Sequence, residues 1–173
     1  MNTVIKEGTN NTEQFVPWEG LGAKVSAKDS LDTITKNADL QWQAKRSPVL
    51  FAAGSEIVKG TKDVLYRSDN NLELGIVSDK YNIVQPKEVL SFYKDLVNME
   101  GWTLDVVGQL DGGKRIWALA KTDASFFAGN DAEDIMDIYL LLSTTFDGSS
   151  STIGKFTSIR VACGNALTLA VGK

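Results

Sequence analysis

Between residues 103–109 and 115–121, two runs of alternating apolar side chains, lies Asp111-Gly112-Gly113. Glycines accept the backbone angles of a tight reversal, and an aspartate before them helps to start it. The two runs are therefore predicted to be neighbouring antiparallel strands. Asp69-Asn70-Asn71 repeats the device between residues 64–67 and 72–78. Short strands are further expected at 41–46, 49–53 and 81–84, and a buried one at 135–146 after a loop or lid at 122–134. Residues 147–152 read as a Gly/Ser turn.

Two helices interrupt the hairpins. Pro86 suits a first helical position, and Val89, Leu90, Tyr93, Leu96 and Val97 form an amphipathic stripe that Gly101 closes. Asp29 is read as the cap of a shorter helix carrying Leu31, Ile34 and Ala38. The fold class expected is α+β: a mostly antiparallel β-sheet built from hairpins, covered on one face by a few α-helices. Residues 1–15 are polar and read as a flexible lead, and 16–173 as a single domain. Residues 15–22 hold too much Pro and Gly for regular structure, with Trp18 and Leu21 anchoring the lead to the core.

Residues 153–167 combine a strand pattern with a capping site. From Phe156 to Cys163 the chain alternates, with Thr157, Ile159, Val161 and Cys163 on the presumed core face and Phe156, Ser158, Arg160 and Ala162 on the other. Gly164 and Asn165 then suit a strand-to-helix turn. The N–H groups of such a turn would favour an anion such as phosphate, with Arg160 near in sequence. The structural alternative pairs Arg160 with a surface carboxylate.

Composition removes several chemistries. The 173 residues include no histidine and one cysteine, which excludes internal disulfides and the usual zinc frameworks. Acid–base work would fall to carboxylates, Lys, Tyr or Cys163, and Cys163 lies on the expected core face. The carboxylates of 131–137 are a conceivable Mg²⁺ site, but a solvated loop entering a strand explains them more simply. No Walker loop, dinucleotide fingerprint or serine elbow is present. No catalytic residue, metal or cofactor is assigned, and the protein is expected not to be an enzyme. The first residues lack a signal-peptide core, and the apolar run at 138–142 is far too short for a membrane span, so a cytoplasmic protein is expected.

The net charge of −4 leaves no global attraction to polyanions, so any such site must be a local patch. The acidic excess gathers at 123–137, which leaves the hairpins free to carry bases. Lys114 and Arg115 follow a glycine turn, Lys45 and Arg46 end a strand, Arg67 follows Tyr66, and Lys155 and Arg160 flank Phe156. Cations interleaved with aromatics on a sheet are the ingredients of single-strand binding. Arg115 and Trp117 share a strand face, although a tryptophan there more often belongs to the core.

Ordered landmarks run through the chain: Trp18-Glu19-Gly20-Leu21-Gly22, Leu40-Gln41-Trp42, Tyr66-Arg67, residues 75–85, residues 113–119, Phe146-Asp147-Gly148 and residues 159–167. In these the sequence resembles a phage/plasmid-like protein family of unknown function found in prophages and mobile elements. Members usually continue with helical sequence, so a naturally short form or a C-terminal truncation is expected. The order of elements also resembles, at the level of fold alone, the β-rich core of single-strand annealing recombinases.

The resemblance implies mobile-element biology, and the leading expectation is a phage or mobile-element protein that binds or anneals single-stranded DNA in recombination or replication. It would act without a cofactor in the host bacterial cytoplasm, as a homo-oligomer. Arg67, Lys114, Arg115, Lys155 and Arg160 would hold the backbone, with Tyr66 and Phe156 stacking bases. The alternative is an accessory protein that engages a host defence or replication protein through residues 122–137. A metal-dependent nuclease built on the 131–137 carboxylates is a third.

Overall fold

The computed structural model describes residues 20–127, 135–149 and 151–160. The architecture is α+β and mostly antiparallel, as the hairpin turns predict, but with two sheets where one was expected. The larger sheet comprises β1 (Gly22–Lys24), β5 (Thr103–Leu110), β6 (Arg115–Phe127), β7 (Ile135–Thr145) and β8 (Ile153–Arg160), in that spatial order. The smaller sheet is β2 (Ala44–Ala53), β3 (Glu56–Arg67) and β4 (Glu73–Ser78). Two helices, α1 (Leu31–Asn37) and α2 (Pro86–Met99), complete the described elements.

α2 forms where its stripe predicts. Val89, Leu90, Tyr93 and Val97 are buried in one core with Val107, Ile116, Ala118, Ala120 and Leu142 of the larger sheet. Pro86 occupies the first turn, and the Gln85 N–H donates to the Glu88 carboxylate at 2.6 Å. The Gln85 side chain is spent elsewhere. Its Oε1 accepts from the Ala44 N–H at 2.8 Å and its Nε2 donates to the Ala44 carbonyl at 3.1 Å, which fastens α2 to β2. α1 is capped by Ser30, whose hydroxyl accepts from the Thr33 N–H at 3.1 Å. Asp29, the expected cap, instead accepts from the Ser26 N–H at 2.7 Å in the preceding turn.

Within the core, the Tyr93 hydroxyl lies 2.6 Å from the Thr144 hydroxyl, which lies 2.7 Å from that of Thr152. Burial pushes the Tyr93 phenol above its ordinary value, so it stays a neutral member of this chain. Tyr93→Phe removes one hydroxyl and leaves Thr144 its contact with Thr152. The expected cost is about 1 kcal/mol of unfolding free energy in urea titrations, and an unchanged midpoint would show that the chain contributes no stability.

β1 was not expected, since Gly22 falls in the segment read as too rich in Pro and Gly for regular structure. The other strands depart from expectation in four places. β2 runs unbroken through Pro48, which an edge strand tolerates, with a register shift between Pro48 and Leu50. β3 begins at Glu56, eight residues before the expected start, because the two-residue Gly54-Ser55 turn folds it back along β2. β6 continues past Lys121 to Phe127 after an irregularity, where the Thr122 hydroxyl donates to the Ile138 carbonyl at 2.8 Å. Residues 81–84 form no strand; the Arg46 guanidinium donates to the carbonyls of Asp79 and Tyr81 and holds this segment against β2.

The two sheets meet at a close backbone contact. A Cβ built on Gly75 of β4 would lie 2.6 Å from the Asp147 Cα, so only glycine fits there. Trp42 packs edge-on against Phe146 at 5.5 Å between centroids and continues the junction. Among the described residues, no helix is long and apolar enough to cross a membrane. The expected lead at 1–15, and the strand-to-helix turn with Cys163, lie outside the described residues.

Candidate nucleic-acid interface

The seven residues expected to contact nucleic acid are spread over both sheets. Arg115 opens β6 opposite Thr145 of β7, and Arg160 ends β8 opposite Met136. Those partners lie nine positions apart in β7, about 30 Å at the rise of a strand. The spacing is odd, so the two backbone positions belong to opposite faces of the sheet. Lys114 is half-buried in the turn before β6, where its carbonyl accepts from the Phe146 N–H at 2.7 Å. Lys155 and Phe156 are exposed but consecutive in β8, and therefore point to opposite sides. Phe156 packs edge-on against Trp102 at 6.0 Å, on the helix-covered face.

Arg67 is turned inward, with a side chain only 6% exposed. Its Nε and Nη2 donate to the Asp69 carboxylate at 3.0 and 2.6 Å. Its Nη1 donates to the Gly112 carbonyl at 2.9 Å and to the Gln109 Oε1 at 3.2 Å. The guanidinium carbon lies 4.8 Å from the Trp42 ring centroid, a cation–π stack. Gly113, at φ +103°, leaves room for this arrangement: a Cβ there would lie 2.7 Å from the indole and 3.3 Å from the guanidinium. Arg67 thus joins the 69–71 turn of the smaller sheet to the 111–113 turn of the larger one. Nε, Nη1 and Nη2 are all engaged, and Asp39 adds a second carboxylate 3.9 Å from Nη2, so in this arrangement it is a structural clasp turned away from any phosphate.

The fold does bring another set together. Tyr66, beside Arg67, necessarily faces the opposite way, onto the outer side of the smaller sheet. There it sits directly between Lys45 of β2 and Glu73 of β4. Such cross-strand neighbours have Cβ atoms about 5 Å apart. The next row is Ser47, Val64 and Ile76, and the third holds Lys62 beside Ser78. The face is open, since Lys45, Lys62 and Ile76 are exposed and Tyr66 and Val64 half-buried. Among the described residues, Lys45 and Lys62 have no ion-pair partner. By contrast Lys24, Arg46, Lys87 and Lys121 are paired with Asp105, Asp63, Asp32 and Asp137.

Sequence reasoning missed Lys62 because the glycine and charges at 59–63 hid the first half of β3. The signal was the alternation of Lys62, Val64 and Tyr66 against Asp63, Leu65 and Arg67.

Other concavities are committed to structure. A cleft of about 570 Å³ between α1 and α2 is lined by Trp42, Gln85 and Glu88, with Lys87 bridged to Asp32 at 2.6 Å. Gln85 and Glu88 already cap α2 and hold β2 there. No group of three potential metal ligands occurs among the described residues. Asp131, Glu133 and Asp134 lie outside them, and Asp137 is bridged to Lys121 at 2.7 Å.

Compared with known proteins, residues 73–173 match one family model, described as a domain of unknown function (DUF932). No curated protein and no solved structure matches the chain.

Proposed function

Since the chain belongs to the DUF932 family, whose model spans more than half of it and assigns no activity, we propose a function from its own surface: binding of single-stranded DNA on the outer face of β2–β3–β4. The mobile-element setting implied by the motif resemblance, with a role in recombination or replication, is part of this proposal. The observation that carries it is the Lys45–Tyr66 pair with Lys62 two rows away on one open sheet face. An aromatic ring on a strand stacks any base, and lysines beside it follow the phosphates without reading sequence. No cofactor is needed for such binding. Glu73 and Glu56 temper the field, so the affinity is modest and confined to low ionic strength.

Fluorescence anisotropy with a labelled oligothymidine tests the proposal. Two lysine–phosphate contacts on a single strand give a slope of about −1.4 in log K against log salt. Lys45→Glu with Lys62→Glu is expected to weaken binding by at least about tenfold and flatten that slope. Tyr66→Ala is expected to cost about 1 kcal/mol or more at unchanged slope, because stacking releases no counterion. Lys155→Glu, in the other sheet, leaves binding as it was. Absence of binding at low salt, or equal affinities for all variants, rules the face out.

Ile76, 52% exposed at the centre of the same face, favours a second reading, a protein partner such as a host defence or replication factor. A partner captured from host lysate, retained after nuclease digestion and lost on Ile76→Lys, would decide for it.

A further inference from the structure

Past Pro48 the β2–β3 hairpin runs on beyond its sheet as a two-stranded arm. Among the described residues, 50–53 and 56–59 pair only with each other, since β4 meets β3 no farther out than Lys62. The register irregularity at the root of the arm does not turn it over. From Pro48 to Leu50 β2 advances two residues while β3 advances four, Asp63 to Lys59, and both steps are even. Alternation therefore carries the outer face of the sheet through Lys45, Ser47 and Val49 to Phe51, which lies opposite Val58. Gly60 of β3 agrees: a Cβ built there would lie 3.8 Å from the Val49 Cβ and 3.9 Å from the Phe51 Cδ1. Phe51 is 51% exposed, and Gly60 leaves bare backbone beside its ring.

We infer that Phe51 is a second base-stacking platform, and that the bound strand runs from Tyr66 past Lys62 onto the arm. This rests on the single-strand reading of the sheet face and extends it. From Lys45, the neighbour of Tyr66, to Phe51 is six residues, about 20 Å at the rise of a strand. That span leaves room for nucleotides between the two rings, over Lys62. The charges of the arm cancel, Lys59 against Glu56, and Lys59 faces the other way with Leu50. The arm thus adds affinity through its ring and not through phosphate contacts, because a half-exposed phenyl gains burial against any base. Glu56, one row past Phe51, puts a carboxylate at the tip and sets the outer limit of the path.

Fluorescence anisotropy at low salt, with a labelled oligothymidine of about 16 nucleotides, tests the inference. Phe51→Ala is expected to weaken binding by at least about fivefold, the least that one unstacked base costs, at unchanged salt slope. Phe51→Trp keeps a flat ring and binds at least as tightly as wild type, whereas Phe51→Leu, apolar but not planar, loses nearly as much as alanine. Ile57→Ser, on the opposite face of the same arm at 70% exposure, leaves binding as it was. All four retain the wild-type circular dichroism spectrum, since they change exposed side chains. If Phe51→Ala binds like wild type while Tyr66→Ala is weakened, the inference falls and the sheet-face site stands. An equal loss in Ile57→Ser also overturns it, by tracing the effect to the folding of the arm. Absence of binding by the wild-type chain removes both.

Discussion

Arg67→Ala is expected to lower the unfolding free energy by about 3 kcal/mol, measured by urea titration of tryptophan fluorescence. The substitution removes a two-pronged charge-assisted bond to Asp69 and leaves the Gly112 carbonyl without its charged donor. It also strips a cation from the Trp42 face. Removing one member of a buried charged pair costs about 3–5 kcal/mol, and Asp69 keeps some access to water, so the lower end applies. Arg67→Lys retains the charge but cannot make the fork, and is expected to recover less than half of the loss. A change below about 1 kcal/mol for the alanine variant would mean that the clasp holds nothing together.

The clasp also predicts an acid dependence. Its hydrogen bond to Asp69 is the main reason that this carboxyl lies below its ordinary value of 3.8. The folded state therefore binds fewer protons than the unfolded one across that interval. The resulting stability is complete above 3.8 and is lost as pH falls through the lowered value. Asp147 acts in the same window: burial works to raise its pKa, but hydrogen bonds from Ser149 and Thr145 outweigh it. Titrating wild type and Arg67→Ala in parallel isolates the Asp69 share, which only the wild type shows.

Gly75→Ala is expected to cost about 2–3 kcal/mol through overpacking. The added methyl would sit 2.6 Å from the Asp147 Cα and 2.9 Å from the Asp147 carbonyl oxygen. Both are backbone atoms, and no rotamer change relieves them; one sheet must move from the other. Gly54→Ala is the control. It meets no atom within 4 Å and pays only for φ +65°, about 1 kcal/mol. If thermal denaturation ranks Gly54→Ala as the more damaging, the sheet junction is looser than its geometry says.

The parts of this fold legible in the sequence are those specified locally. The Asp111-Gly112-Gly113 reversal, the Pro86 helix start and the stripe from Val89 to Val97 depend on neighbours a few residues away. The β2–β3 arm was less readable, since Pro48 and Gly60 argue against a strand unless the strand is an edge or its partner is known. The division into two sheets was hidden altogether. It depends on Gly75 meeting Asp147, a contact between residues 72 positions apart for which no local pattern exists. The candidate site shows the same division. Tyr66 was found because an aromatic beside an arginine stands out, yet alternation sends Tyr66 and Arg67 to opposite sides, and only a partner strand shows which lies inside. Lys45 and Lys62 become neighbours of that ring through register, which residue types alone do not disclose.

One consequence follows from where the family match begins. Its first residue, Glu73, is also the first residue of β4, whose hydrogen-bonded neighbour among the described strands is β3, encoded wholly upstream. Homology and self-sufficiency are thus different properties here. A polypeptide cut to the matched segment would keep Leu74 and Val77 but lose the Leu65 and Trp42 that share their core. The sensible unit to express, or to transplant into another protein, begins before β2.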